Sequence, residues 1–100
     1  MNADGERIAL QILARRWSIP VITALAQRDD VHFLELHRQL GVTQKVLGDH
    51  LRFLVRHGVL RRVATESPGR VYYSLTEAGA DLLPIVEQLR RWAALWLRAR

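Results

Sequence analysis

Apolar residues recur every three to four positions in the first quarter of the chain, which is the period of an α-helix buried along one face. Ile8 and Ile12 lie on such a stripe and predict a first helix over residues 4–16. Ser18 has the short polar side chain that favours a helix N-cap, and Pro20 fits the first turn of the helix that would follow. The pattern therefore predicts two successive helices before the polar run that begins at residue 28.

A third and a fourth helix are predicted next, separated by a tight turn. Residues 33–40 place apolar side chains on one face, and Gly41 supplies the left-handed residue that commonly ends a helix. Thr43 is suited to cap the fourth helix, and Gly58 to end it. The positions of this helix that should face the core are Leu47, Leu51 and Leu54. Two helices joined by a short turn predict a helix-turn-helix.

Beyond Gly58 the period changes from 3.6 to two, which indicates strands. Residues 59–65 and 70–75 are the predicted arms of a β-hairpin, and Glu66-Ser67-Pro68-Gly69 has the composition of its turn. A short strand is also expected at residues 31–33. A long C-terminal helix follows, capped by Thr76 and kinked or broken at Pro84, because proline lacks the N–H that the helix needs. 

These elements predict a mainly α-helical winged helix-turn-helix fold with a small β-hairpin wing, in one domain over residues 1–100. No apolar run approaches the ~20 residues that cross a bilayer, and the N-terminus is acidic and polar, unlike a secretory signal. We therefore expect a cytoplasmic protein. The sequence has no cysteine, which excludes disulfides, thiolate metal ligands and thiol-based redox sensing within it.

The charge favours a polyanionic partner. The formal net charge is +5, and Lys45 is the only lysine among 15 basic residues. The planar fork of arginine suits phosphate and the edge of guanine. A well-solvated basic surface would give the same composition, so charge alone leaves both interpretations open. The order of helix-turn-helix and hairpin favours DNA.

Several short motifs and single residues follow one another at characteristic spacings between residues 16 and 92. They are Trp17, Pro20, Leu25, Phe33-Leu34-Glu35-Leu36, Val46-Leu47, Leu51, Leu54, Gly58-Val59-Leu60-Arg61-Arg62, Pro68-Gly69-Arg70-Val71-Tyr72-Tyr73-Ser74-Leu75-Thr76, Gly79, Leu82, Pro84 and Trp92. In this order they resemble the HxlR-type winged-helix transcriptional regulators, which are relatives of the MarR group.

The resemblance implies a homodimeric bacterial transcription factor. In such proteins the first and last helices pair across the dimer axis, the fourth helix enters the major groove, and the wing reaches the minor groove or the backbone. This chain departs from the pattern in two places. Many relatives have a redox-sensing cysteine before or within the first helix, and an acidic residue usually stands where this chain has Tyr72.

One face of the fourth helix carries the candidate DNA contacts. Lys45, Gly48, Asp49 and Arg52 follow the i, i+3, i+4, i+7 spacing of a single face, with Gln44 and Thr43 at the start of the helix. Arg52 could bind guanine or phosphate, Gln44 could read adenine, and Gly48 would let the backbone approach closely. Thr43 at a helix N-terminus suits a phosphate. Asp49 must accept from cytosine, orient a neighbour or face away. The alternative is an ordinary solvated helix face.

On the hairpin, Arg70 lies closest to the tip and is the main candidate for a phosphate or minor-groove contact. Arg62 is a second candidate, but it shares its side of the strand with Leu60 and could instead support the sheet or pair with an acid.

The terminal helices carry the candidate dimer interface. Leu89, Trp92 and Trp96 on the last helix, with Ile8 and Ile12 on the first, give more apolar surface than so small a domain easily hides. An aromatic pocket for a small-molecule effector at that interface is the alternative to simple packing.

No catalytic set or metal-binding pattern is visible. The sequence lacks a cysteine nucleophile, a Gly-x-Ser-x-Gly elbow and a glycine-rich phosphate loop, and its four histidines follow no ligand spacing. We therefore predict no enzyme activity and no cofactor. The expected function is a sequence-specific regulator, a repressor acting as a homodimer on an inverted-repeat operator. The alternative is a winged-helix protein-interaction module without specific DNA binding.

Overall fold

The computed structural model describes residues 2–66 and 70–97. In chain order its elements are α1 (Ala3–Ala14), α2 (Ser18–Leu25), β1 (Val31–His32), α3 (Phe33–Leu40), α4 (Gln44–Arg56), β2 (Leu60–Ala64), β3 (Val71–Leu75) and α5 (Glu77–Trp96). The expected fold class is confirmed: a mainly helical protein with a helix-turn-helix followed by a β-hairpin. Within the described ranges no single helix is long and apolar enough to span a membrane. α1 and α2 reach that length and apolarity only when they are taken together, and the pair is bent by 81°.

The three strands form one antiparallel sheet in the order β1-β3-β2. Leu60 pairs with Leu75 and Ala64 with Val71, so β2 and β3 are the arms of the predicted hairpin. The backbone N–H of Thr65 donates to the carbonyl of Arg70 at 3.2 Å and continues the ladder towards the tip. Positions 67–69 of the expected turn lie outside the described residues. The short strand expected near residue 31 is confirmed as β1, which covers the free edge of β3.

The core lies between the helices and one face of the sheet. Leu47, Leu51 and Leu54 of α4 are fully buried, which confirms the predicted inner face of that helix. They belong to one cluster that also includes Leu36 of α3 and Ile22 of α2. Fully burying a Leu or Ile side chain contributes about 1.5–3 kcal/mol, so this cluster fixes the orientation of α4 and hence which of its residues face outwards.

The turn between α3 and α4 follows the sequence prediction closely. Gly41 has a φ of 68°, in the left-handed region, and ends α3. The hydroxyl of Thr43 accepts from the backbone N–H of Val46 at 3.2 Å and caps α4. His37 makes one contribution to this turn that the sequence did not predict. Its Nδ1 lies 2.6 Å from the carbonyl oxygen of Val42, and because a carbonyl only accepts, the ring donates this bond and holds the turn to α3.

Thr76 and Gly79 hold the start of α5 against the segment between α4 and β2. The hydroxyl of Thr76 accepts from the N–H of Gly79 at 3.0 Å, as its predicted capping role requires. The same hydroxyl can donate to the carbonyl oxygen of Gly58, at 2.5 Å, and lies 3.1 Å from the carbonyl oxygen of Val59. A Cβ at position 79 would sit 2.1 Å from that oxygen, so only glycine permits this approach.

Three expectations about helix ends and faces are not met in full. Ser18 does not cap α2: it is the first helical residue, Trp17 stands at the N-cap without a side-chain bond, and the Ser18 hydroxyl is buried instead. Pro84 does not split α5, which runs from Glu77 to Trp96 with the proline inside it. Ile12, expected at a dimer interface, is 9% exposed and packs into the core of its own chain.

Candidate nucleic-acid interface

The outward face of α4 is charged along its whole length. Lys45, Asp49, Arg52 and Arg56 follow one another at i, i+4, i+7 and i+11, opposite the three buried leucines, and all four are exposed. At about 100° per residue these positions fall within a narrow stripe along the helix. We call them the α4 stripe. The structure thus places Lys45, Asp49 and Arg52 together, as the sequence predicted, and adds Arg56.

Asp49 contacts two cations of its own stripe. Its carboxylate pairs with the guanidinium of Arg52, one turn further along, and its Oδ2 lies 4.0 Å from Nζ of Lys45. Of the three roles left open for Asp49, orienting a neighbour is the one this geometry supports. The paired side chains are largely exposed, so each ion pair contributes about 0–1 kcal/mol and can exchange for another anion.

Arg52 folds back over the position that glycine leaves open. A Cβ at Gly48 would lie 3.5 Å from one guanidinium nitrogen of Arg52. In the absence of DNA, this guanidinium therefore occupies the space through which DNA was expected to approach the backbone at Gly48. At the start of the helix, Thr43 and Gln44 are exposed, and the Thr43 hydroxyl is engaged as the cap.

Residues from α1 and the sheet extend the charged face into a shallow hollow of about 640 Å³. We call it the basic concavity. Its lining residues are Arg15, Asp49, Arg52, Phe53, Val55, Arg56, Arg62 and Tyr73. Four guanidinium groups stand there against one carboxylate, so the hollow has a strongly positive potential.

Arg15 and Arg62 reach the basic concavity from outside the helix-turn-helix. The guanidinium carbon of Arg15 lies 3.9 Å from the ring centroid of Phe53, which is a close cation–π contact. Arg62 lies on β2, opposite Tyr73 of β3. Among the described residues the ion pairs involve Arg7, Arg28, Lys45 and Arg52, and neither Arg15 nor Arg62 belongs to them.

His50 lies in α4 beside this charged surface, and the pKa of its imidazole lies below the ordinary value. Burial lowers the pKa of its imidazole, and the positive charge of Arg15 lowers it further, while Asp49 acts in the opposite direction. Within the described ranges, no group of three or more His, Asp and Glu side chains could hold a metal ion.

The wing carries further arginines. Arg61 and Arg70 are exposed, on β2 and just before β3, respectively. The carbonyl of Arg70 accepts from both the N–H and the hydroxyl of Thr65, each at 3.2 Å, so hydrogen bonds hold the backbone at position 70.

Comparison with known proteins identifies the family. The profile of HxlR-like helix-turn-helix proteins matches residues 12–100. The chain belongs to the HxlR-like helix-turn-helix family. An HTH-type transcriptional regulator of Halalkalibacterium halodurans is 36% identical over 85 residues, which cover 83% of this chain and 75% of that protein. The HTH-type transcriptional regulator YvaP of Bacillus subtilis is 34% identical over 91 residues, covering 89% and 83% of the two chains.

Solved structures agree with this placement. The reduced form of the transcriptional regulator YodB from B. subtilis superposes with a TM-score of 0.88 at 26% identity, covering 100% of this chain and 99% of that one. The reduced form of the redox regulator HypR gives a TM-score of 0.78 at 30% identity, with 89% of each chain covered. This HxlR-like chain is a DNA-binding transcriptional regulator of the helix-turn-helix type.

The terminal helices of the HxlR-like chain expose a second, apolar surface. Ile85, Leu89, Trp92 and Trp96 form a row on α5 that we call the α5 stripe, and Trp92 and Trp96 are 56% and 67% exposed. On α1, Ile8 is 40% exposed, in contrast to Ile12. The predicted apolar surface therefore exists on α5 and on part of α1.

Two residues of the charged surface, Arg56 and Arg15, were not predicted from the sequence. Arg56 could have been found, because it lies four residues after Arg52 and seven after Asp49, on the same face. Arg15 could not, because its link to the surface is a contact with Phe53, which is far away in the sequence.

Proposed function

We propose that this regulator is a sequence-specific repressor that binds an inverted-repeat operator as a homodimer in the cytoplasm, in a role of binding and not catalysis. The observation that carries the proposal is the basic concavity. It continues the exposed face of the second helix of a helix-turn-helix, the element that enters the major groove in this class of protein.

In this proposal the α4 stripe and the wing make different kinds of contact with DNA. Arg52 and Gln44 are the proposed readers of base edges, because guanidinium and amide groups match the donor and acceptor pattern of guanine and adenine. Lys45 and Arg62 neutralise phosphates, and Arg70 extends this role to the wing. The N–H groups at the start of α4, beside Thr43, suit a phosphate because they carry the positive end of the helix dipole.

The dimer is proposed to form through the α5 stripe and the exposed part of α1. Leu89, Trp92 and Trp96 present large apolar side chains at spacings of one face, and an exposed row of this kind is costly for a chain that stays alone in water. A two-fold pair of subunits would then face an inverted repeat with half-site centres about one or two helical turns apart. All of residues 1–100 act as one domain in this proposal.

An effector site, if the regulator uses one, is proposed at the same interface. A hollow of about 760 Å³ lies beside the α5 stripe, lined by Gln88, Arg91, Trp92, Ala94, Leu95 and Trp96. All of these residues belong to α5, so a partner subunit would have to supply the opposite wall. A solved structure of the similar protein YodB is described as quinone-bound. Packing by the partner alone explains the hollow equally well.

Selection of bound sequences from random duplex DNA with the purified protein tests the proposal. We expect enrichment of an inverted repeat, a footprint centred on it, and a stoichiometry of two chains per operator. Repression follows if the enriched sequence overlaps a promoter and the protein blocks transcription from it. A protein-interaction module would enrich no sequence, even at low salt where phosphate contacts are strongest.

A further inference from the structure

We propose that Arg15, at the C-terminal end of α1, contacts the DNA backbone from outside the helix-turn-helix, and that the ring of Phe53 holds its guanidinium in place. The inference rests on the proposed DNA-binding function and adds a contact that neither the helix-turn-helix nor the wing supplies.

Arg15 reaches this surface through a contact between two helices. α1 ends at Ala14, and Arg15 is its C-cap residue, with φ −65° and ψ 138°. Its side chain meets α4, where the guanidinium lies on the ring of Phe53. Phe53 directly follows Arg52, so the stack brings a cation from α1 beside the α4 stripe.

The stack suits a guanidinium that binds phosphate. A guanidinium lying on an aromatic face keeps the N–H donors at its edge available, and its planar fork matches two phosphate oxygens. The ring also restricts the long side chain before DNA arrives, which reduces the entropy lost on binding. Among the described residues Arg15 has no acidic partner, whereas Arg7 pairs with Asp4 and Arg28 with Glu35 away from the concavity.

The electrostatics of α4 show that the charge of Arg15 reaches the recognition helix. The pKa of His50 is lowered by burial and then by Arg15, although His50 belongs to a different helix. In the basic concavity Arg15 joins Arg52, Arg56 and Arg62, with Asp49 as the single acid of that lining. Because the hollow is continuous with the exposed α4 stripe, a duplex that engages the stripe brings its phosphates to Arg15.

The adjacent residue provides a matched control. The guanidinium of Arg16 lies 5.4 Å from the ring centroid of Trp17, so it also has a cation–π contact, but it does not line the basic concavity. Arg15→Gln and Arg16→Gln remove the same charge from neighbouring positions of one chain.

The experiment measures the affinity of the full chain for its selected operator and for an unrelated duplex over a range of salt concentrations. Arg15→Gln should lower the affinity for both duplexes about threefold to tenfold and reduce the slope of log affinity against log salt by about one unit. Arg16→Gln should leave the slope as in the parent. Arg15→Lys keeps the charge and should retain the slope, which separates loss of a phosphate contact from a folding defect.

Phe53→Leu tests the positioning role. It keeps all the arginines but removes the ring, so affinity should fall for both duplexes while the salt slope stays near that of the parent. If the parent binds DNA and Arg15→Gln has the slope of Arg16→Gln, the inference is overturned. If Phe53→Leu binds as the parent does, the positioning role is wrong. A parent that binds no duplex overturns the proposed function itself.

Discussion

Helices α4 and α5 each present an outward row at i, i+4, i+7 and i+11, with opposite chemistry. The α4 stripe is Lys45, Asp49, Arg52 and Arg56, and the α5 stripe is Ile85, Leu89, Trp92 and Trp96. A charged row is stable in water, and its acid and bases partly neutralise one another until a polyanion replaces the acid. An apolar row gains free energy only by leaving water. Although the two rows share one spacing, their chemistry differs. It predicts that α4 binds its partner reversibly and in a salt-dependent way, and that α5 binds its partner permanently.

The largest expected effect is on the α5 stripe. Trp92→Asp places a charge at the centre of the proposed dimer interface and should weaken self-association by about 2–4 kcal/mol, because buried tryptophans are typical hot spots. Sedimentation velocity over a range of concentrations measures this change. Operator binding should fall as well, because a single subunit contacts only one half-site of the operator.

Leu34→Asp is the matched control for this prediction. Leu34 is a large apolar residue on α3 that is 42% exposed but lies outside the α5 stripe. The Leu34→Asp substitution should leave the sedimentation coefficient unchanged. A Trp92→Asp protein that still sediments as the parent does would show that the α5 stripe is not the interface.

The next effect concerns the close approach of α5 to the carbonyl of Val59, in the segment between α4 and β2. Gly79→Ala forces a Cβ to within 2.1 Å of the Val59 carbonyl oxygen unless the backbone shifts. Overpacking of this kind costs about 1–3 kcal/mol, and we expect thermal unfolding at a correspondingly lower temperature. Ala78→Gly, at an exposed position of the same turn, is the comparison for a change of helix propensity alone. Equal stability of Gly79→Ala and the parent would contradict the close packing of α5 on this junction.

The sequence predicted the two rows of outward residues better than it predicted the contacts between elements. Helical periodicity alone placed Leu47 inside and Arg52 outside, because a buried leucine face leaves one orientation for α4. The cap at Thr43 also followed from local chemistry. Ser18 did not, because burial against the core outweighed its capping preference and left its hydroxyl without a hydrogen-bond partner among the residues that the structure describes. Ile12 and Arg15 depend on the path of α1 across the domain, which no local pattern specifies.

Arg52→Ala tests the charged row directly. Loss of a guanidinium at a base edge should weaken operator binding by about 1–3 kcal/mol and relax the preference at one base position. Affinity for an unrelated duplex should fall much less. Binding measured on operators with single base changes identifies the relaxed position. Arg38→Ala, an exposed arginine on α3, is the control. A uniform loss on all sequences would mean that Arg52 contacts phosphate and does not read a base.

The smallest effect concerns the acid within the charged row. Asp49→Asn releases Arg52 and Lys45 from their shared carboxylate and removes a negative charge that repels phosphate. Affinity for an unrelated duplex should rise about twofold to fivefold, as expected for an exposed ion pair, while operator affinity changes less, so the specificity ratio falls. Asp4→Asn is the matched control, because Asp4 forms a similar exposed pair with Arg7 on α1. If Asp49→Asn instead weakened operator binding and relaxed a single cytosine position, Asp49 would be a direct base contact, and the charged row would read DNA with its acid as well as its bases.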